Sequence, residues 1–379
     1  MESKDKPPWR NLIFFSSKPQ INNVQYKPFI SDVPNVLLNK KEEITIFEEE
    51  HKWELAKKMA NPYEMVYTQE EKFPRPNISS IKPLSRSYFK MVEMLYSINF
   101  YKDIKDKKHI RSAHIAEGPG GFMQAFIDVS EQHKKTVKSM HAITLKSDKY
   151  YIPGWKKATN FLKRYADIIH ICYGKDGTGD IYIKENQTYF LSTLNHKVDL
   201  FTADGGFDFS FDYTQQEKQI FPLLVCSFIL ALQSLAVNGT CIIKLFDTYS
   251  LSTQSLISLC GSCFKEYTLY KPATSRPCNS ERYFIGKKFK GSDKVLSTLR
   301  IIYEYTLKDL YPIINIEESE KAYIKNISDT YEQTQIICID LAKQFALNTD
   351  LFNNYYHEYY NKSKEFCEEF HIPIKIKST

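Results

Sequence analysis

Apolar residues along this chain fall into short runs that end on charged or glycine positions, with amphipathic stretches between them. Runs over 112–116, 140–145, 167–172, 198–203, 240–246, 266–270 and 282–289 have the length and composition of buried strands. Helical periodicity covers 122–129, 154–165, 215–237 and 251–263, and Asn238-Gly239 reads as a stop after the third of these. Strands alternating with helices predict an α/β fold, a mainly parallel sheet covered on both faces. The last two strands are joined by residues 271–281 alone. That is too short for a helical crossover, so the spacing predicts an antiparallel hairpin.

Outside this alternation the pattern changes. Before residue 84 it reads as an irregular basic arm, an acidic helix over 40–59 and a proline-rich loop over 73–83. After Gly291 it reads as two or three helices rich in tyrosine and charge. The expected division is an N-terminal extension over 1–83, an α/β domain over 84–290 and a C-terminal helical extension over 291–379.

Composition narrows the class. With 42% hydrophobic residues, 26 tyrosines and 25 phenylalanines, the chain can build a core without disulfides or a structural metal. A net charge of +6 suits a local groove for a short polyanion. Several of the eight cysteines lie inside apolar runs, and Cys260-Gly261-Ser262-Cys263 has no second pair at zinc spacing, so it reads as the end of a buried helix. Residues 1–10 are charged and broken by proline, unlike a secretory leader. The apolar stretch 221–237 contains Gln233 and Ser234 and reads as a buried helix, not a membrane span. A soluble intracellular protein without metal is expected.

Four residues then stand out. Lys90 lies on a helical stretch, Asp204 ends an apolar run before Gly205-Gly206, Lys244 closes another run, and Glu281 opens the last. Ligands of an open parallel sheet bind beyond the carboxyl ends of its strands, where strand order reverses. The segment Glu117-Gly118-Pro119-Gly120-Gly121-Phe122 follows the first strand of the alternation and opens a helix, and its glycines let the backbone approach a ligand closely. It lacks the dinucleotide-binding spacing, and Pro119 removes one amide.

This segment resembles the first motif of the FtsJ-like S-adenosylmethionine-dependent ribose methyltransferases. The resemblance continues in chain order through Ser-Arg-Ser-Tyr-Phe-Lys90, Thr-Ala-Asp204-Gly-Gly-Phe, Ile-Ile-Lys244-Leu-Phe and Ser-Arg-Pro-Cys-Asn-Ser-Glu281-Arg-Tyr. Together with Thr-Leu-Lys146, the last of these most resembles the branch that modifies mRNA caps. The match spans about 84–290. It implies a Rossmann-like methyltransferase sheet and S-adenosylmethionine held by residues 117–122, with Asp204 at its methionine end. It also implies catalysis by Lys90, Asp204, Lys244 and Glu281 on a ribose 2′-hydroxyl of RNA, in the first nucleotides of capped mRNA. Two departures stand out: His114 occupies a place where many members carry an acid, and Lys146 follows the second strand. The acidic contact to the cofactor therefore falls to Glu117, Asp176 or Asp180.

The chemistry explains the residue types. A ribose hydroxyl is a weak nucleophile that must be aligned with the methyl group and relieved of its proton. Lys244 either orients that oxygen and stabilises developing alkoxide, or accepts the proton if burial and Lys90 lower its pKa. Asp204 would steer the ammonium, and Glu281 would hold Lys90 or Lys244. Arg276 and Asn279, just before Glu281, are candidates for phosphate or sugar contacts. Lys108, Arg111, Lys146 and Lys149 could extend a basic track. A methylated guanine stacks between aromatics, but tyrosine and phenylalanine are too abundant to choose a pair. Tyr355-Tyr356-His357-Glu358-Tyr359-Tyr360 reads as helix packing. Two other readings compete: methylation of ribosomal or transfer RNA, and a silent RNA-binding scaffold on the same fold.

Overall fold

The structure, a computed structural model, describes residues 12–68, 73, 75–147, 154–206 and 215–375. Its strands are β1 (Gln20–Lys27), β2 (His109–Ile115), β3 (Thr136–Ile143), β4 (Ile169–Cys172), β5 (Val198–Ala203), β6 (Leu235–Leu245), β7 (Phe264–Tyr270), β8 (Arg282–Phe289) and β9 (Tyr311–Asn315). Seven of them form one sheet in the order β4-β3-β2-β5-β6-β8-β7. The first five in that order run parallel, and β8 runs antiparallel to both β6 and β7. The mainly parallel sheet and its hairpin are as the spacing predicts.

Alternate residues on each strand face opposite helical layers. Ile242 and Ile285 join the layer that includes helices Ser87–Ser97 and Gly121–Gln132. Ile243 and Phe284 join the layer built by Gln216–Ser234, Leu251–Gly261 and Asp293–Thr306. All four are essentially inaccessible, and burying each such side chain is favourable by about 1.5–3 kcal/mol. Strand order reverses between β2 and β5. The carboxyl ends of these two strands therefore flank the natural ligand crevice.

The extensions differ from the pattern-based reading. Residues 20–27 of the arm form β1, which pairs antiparallel with β9 from the C-terminal segment. Neither short strand has a strong local signal, because its partner lies at the other end of the chain. The acidic stretch forms three short helices, Asn35–Glu42, Thr45–Glu49 and Trp53–Met59, and His51 at φ 58° breaks the run. The long helix ends at Ser234, where Leu235 already pairs with Val198 and the register then shifts. Asn238, at φ 65°, marks a bulge in β6 instead of a helix stop. Tyr359 packs against Phe352 and Tyr355 around helix Tyr356–Glu369, as helix packing requires.

All eight cysteines are free thiols. Among the described residues no helix is long and apolar enough to cross a membrane, and no group of acids, histidines or cysteines could hold a metal ion. The leader reading of residues 1–10 and the basic candidate Lys149 lie outside the described residues.

Candidate active site

The four singled-out residues converge at the carboxyl ends of β5 and β6. Asp204 follows β5, its amide donating to Ile115 O of β2 at 3.3 Å. Lys244 sits next to the end of β6, opposite Tyr283 of β8. Glu281 immediately precedes β8, and Lys90 projects from helix Ser87–Ser97. The Glu281 carboxylate bridges both lysines, with Oε1 2.6 Å from Lys90 Nζ and Oε2 3.2 Å from Lys244 Nζ. Asp204 Oδ1 lies 3.7 Å from Lys244 Nζ.

This charge pattern fixes protonation. Burial alone would push the Lys244 ammonium toward neutrality, but Asp204 and Glu281 outweigh it and hold its pKa above the ordinary lysine value. Burial would likewise raise Glu281, yet Lys90, Lys244 and then Lys271 hold its carboxyl well below the usual range. Lys244 therefore rests as a cation. Its lowered pKa, one of the two options read from the sequence, does not occur in this arrangement.

Neighbours that sequence reasoning missed hold the cluster. Tyr283 OH donates to Asp204 Oδ1 at 2.8 Å, and Ser275 Oγ donates to Glu281 Oε1 at 2.7 Å. Buried Glu93, on the helix of Lys90, accepts from Tyr270 OH at 2.6 Å and from the amide of Ala273 at 2.9 and 3.0 Å. Arg282, one residue beyond Glu281, pairs with Asp247 at 3.4 Å, lies 4.8 Å from the Tyr331 ring centroid and shares Asp247 with Lys41. Both extensions thus brace the start of β8, next to Glu281. The available signal was proximity in sequence: Arg282 and Tyr283 stand one and two places past it.

The glycine-rich loop leaves β2 through Ala116, a non-glycine residue at φ 51°, and enters helix Gly121–Gln132 through Gly120 at φ 106°. Only glycine adopts the latter without strain. Glu117 is buried; its Oε1 accepts from Phe122 N at 2.7 Å, while Oε2 has no hydrogen-bond partner. Burial, and next the Asp204 carboxylate, push the Glu117 carboxyl well above its ordinary pKa. Glu117 and Asp204 therefore repel each other's charge, and one buried Glu117 oxygen is left without a partner. Asp180 accepts from Tyr182 N at 2.8 Å in a loop that docks on the end of β3 through Lys146 N and Thr178 O. Asp176 is turned into that same loop by Thr178 and Asn186. His114 is a core residue: Thr202 and Ser112 bond its two ring nitrogens at 2.8 Å, and burial followed by His141 lowers its pKa to about 3.

The other basic candidates scatter. Lys108 and Arg111 stand at the start of β2, the end of the sheet opposite the tetrad, so they do not extend a track from it. Lys146 lies at the correct end, 5.8 Å from the Tyr173 ring centroid. Arg276 is committed to buried Glu64 through Nε at 3.1 Å and a terminal nitrogen at 2.8 Å, and Arg86 shares that carboxylate at 3.0 Å. Asn279 turns its side-chain oxygen inward to Lys271 at 2.8 Å. Beside them opens a cleft of about 560 Å³ lined by Lys58, Lys82, Arg86, Lys157 and Arg276, with Glu54 on its wall.

A doubly wound sheet, a glycine turn beside its switch point and a Lys–Asp–Lys–Glu cluster meet at one edge of the fold. The FtsJ-like methyltransferase family model matches residues 83–289, more than half of the chain, and the chain belongs to that family. Cap-specific mRNA (nucleoside-2′-O-)-methyltransferase 1 of Bos taurus is 31% identical over 266 residues, covering 63% of this chain and 29% of its own length. Cap-specific mRNA (nucleoside-2′-O-)-methyltransferase 2 of Danio rerio is 27% identical over 270 residues, covering 66% and 35%. The chain spans about a third of the length of these curated relatives. A ribosomal RNA methyltransferase structure from Plasmodium falciparum aligns with a TM-score of 0.39 and 18% identity, covering 55% of this chain and 98% of that one.

Proposed function

We propose that this protein transfers a methyl group from S-adenosylmethionine to a ribose 2′-hydroxyl of RNA, in the first nucleotides of capped mRNA. The observation that carries the reading is the bridged cluster of Lys90, Glu281, Lys244 and Asp204 beside the glycine loop. Family membership and the cap-specific relatives support the same chemistry. The unpartnered Glu117 oxygen, on a carboxyl that feels the Asp204 charge, fits the positively charged methionine end of the cofactor. Bound there, S-adenosylmethionine supplies an already activated methyl group.

This chain's residues then act on the acceptor. An ammonium has three N–H donors. Glu281 and Asp204 occupy two directions around Lys244 and leave a third for the ribose oxygen. The lysine can thus orient that oxygen and stabilise negative charge developing on it. Because Lys244 already carries its proton, the hydroxyl proton would leave to Asp204 or to water as the C–O bond forms, the donor's methyl–sulfur bond breaking to leave a neutral thioether. Glu281 keeps both lysines in place, and the basic cleft at the start of the Lys90 helix fits a phosphate backbone.

Gly120→Val is expected to weaken cofactor binding at least tenfold, about 1.4 kcal/mol, because a β-branched residue is strained at φ 106°. Calorimetric titration with S-adenosylmethionine or its demethylated product checks this, and unchanged affinity would make the loop an ordinary turn. Substrate choice is tested with labelled methyl donor and RNAs that differ only at the 5′ end. The proposal expects faster methylation of capped RNA. Equal rates on capped and uncapped RNA would remove the cap assignment.

A further inference from the structure

Lys271 is the first residue after β7, and its side chain is buried behind Glu281. Its Nζ donates to Asn279 O, to Asn279 Oδ1 and to the backbone oxygen of Glu281, each at 2.8 Å, with Ser275 Oγ at 3.3 Å. Three oxygens at that distance use all three N–H bonds of an ammonium. All belong to the loop that ends in Glu281, so the charge organises the loop from within. The carboxylate of Glu281 is tied to Ser275 in turn. Of this set, Glu281 is the residue that pairs with Lys90 and Lys244.

We infer that Lys271 is a positioning residue of the tetrad: its ammonium fixes the peptide carrying Glu281, and through that carboxylate the separation of Lys90 and Lys244. The inference rests on the proposed methyl transfer. A neutral amine has two N–H bonds and one lone pair, which would face the third oxygen and repel it. The groups acting on Lys271 are Glu281 and Cys278, which favour its charge, and Arg282 and Lys90, which oppose it; Cys338 of the helix Glu318–Leu347 also feels its charge. Burial is the largest influence and brings its pKa down to about 7. The ammonium is present below that pH and lost above it, so the tetrad should loosen as pH rises through neutrality. Glu217, raised to about 7 by burial and then Asp247, titrates in the same range, so a variant is needed to assign the effect.

The test is Lys271→Met and Asn279→Ala in the full chain, assayed for kcat, for KM with capped RNA, for cofactor Kd and for the pH dependence of kcat. Lys271→Met is expected to lower kcat about tenfold or more, to leave cofactor Kd within about twofold, and to lose a wild-type inflection near pH 7. Asn279→Ala, at an exposed position, should lower kcat several-fold with KM unchanged. That also separates it from an RNA-contact role, which would raise KM. Wild-type kcat in either folded variant overturns the inference while leaving the methyl-transfer reading intact. If Lys271→Met does not fold, the Asn279→Ala result decides. A wild-type protein that binds cofactor but methylates no RNA sinks the underlying reading instead.

Discussion

Lys244→Ala is expected to lower single-turnover methyl transfer by at least about a hundredfold, roughly 2.7 kcal/mol of barrier, with cofactor affinity and fold nearly unchanged. The ammonium is held between Glu281 and Asp204, and the proposal gives its remaining N–H to the acceptor oxygen. Removing it deletes the donor and leaves two carboxylates facing each other. The argument rests on a charged resting lysine, so pH should not rescue the variant. More than about a tenth of wild-type turnover in Lys244→Ala, a change of under 1.4 kcal/mol, would exclude Lys244 from the catalytic role.

The largest expected stability effect belongs to Glu64→Ala, at about 3–5 kcal/mol in denaturant titration near neutral pH. Glu64 is wholly buried and serves both Arg86 and Arg276. Its removal leaves two guanidinium groups paired poorly in a half-buried site, and frees the loop before Glu281 from the N-terminal extension. Burial would raise its carboxyl, but Arg86 and Arg276 more than offset that and lower its pKa to about 2. A depressed carboxylate stabilises the fold above its ordinary pKa, and the stabilisation is lost as pH falls from about 4.5 toward 2. Acid unfolding of the wild type should therefore steepen across that window, and Glu64→Gln should flatten it. A Glu64→Ala loss below about 1 kcal/mol, the scale of an exposed pair, would contradict this account.

Much of the site was legible because strand ends are legible. Asp204 and Lys244 each terminate an apolar run, and a parallel sheet delivers such ends to one edge. Lys90 and Glu281 are no different locally from solvated charges, and only their company in chain order gave them away. Lys271 has no such company. A lysine opening a loop reads as solvent-facing, and its three oxygens come from backbone and side-chain positions that periodicity does not register. Arg276 was read as an RNA contact, and its bond to Glu64 went unseen because Glu64 lies in an extension whose docking no local pattern encodes. Lys108 and Arg111 read as a track on charge alone, although both precede the 112–116 run and so belong to the amino end of that strand, away from the ligand edge. The β1–β9 pairing escaped for a related reason: two short strands from opposite ends of the chain specify one another only in the folded state.

The most direct test is the location of the transferred methyl. Capped RNA is incubated with the full chain and isotopically labelled S-adenosylmethionine, digested to nucleosides with the cap region kept separate, and read by mass spectrometry. The account predicts label on the ribose 2′-oxygen of a nucleotide next to the cap, absent when that nucleotide is the 2′-deoxy analogue. Label on a base, or no label from protein that binds the cofactor, would contradict it.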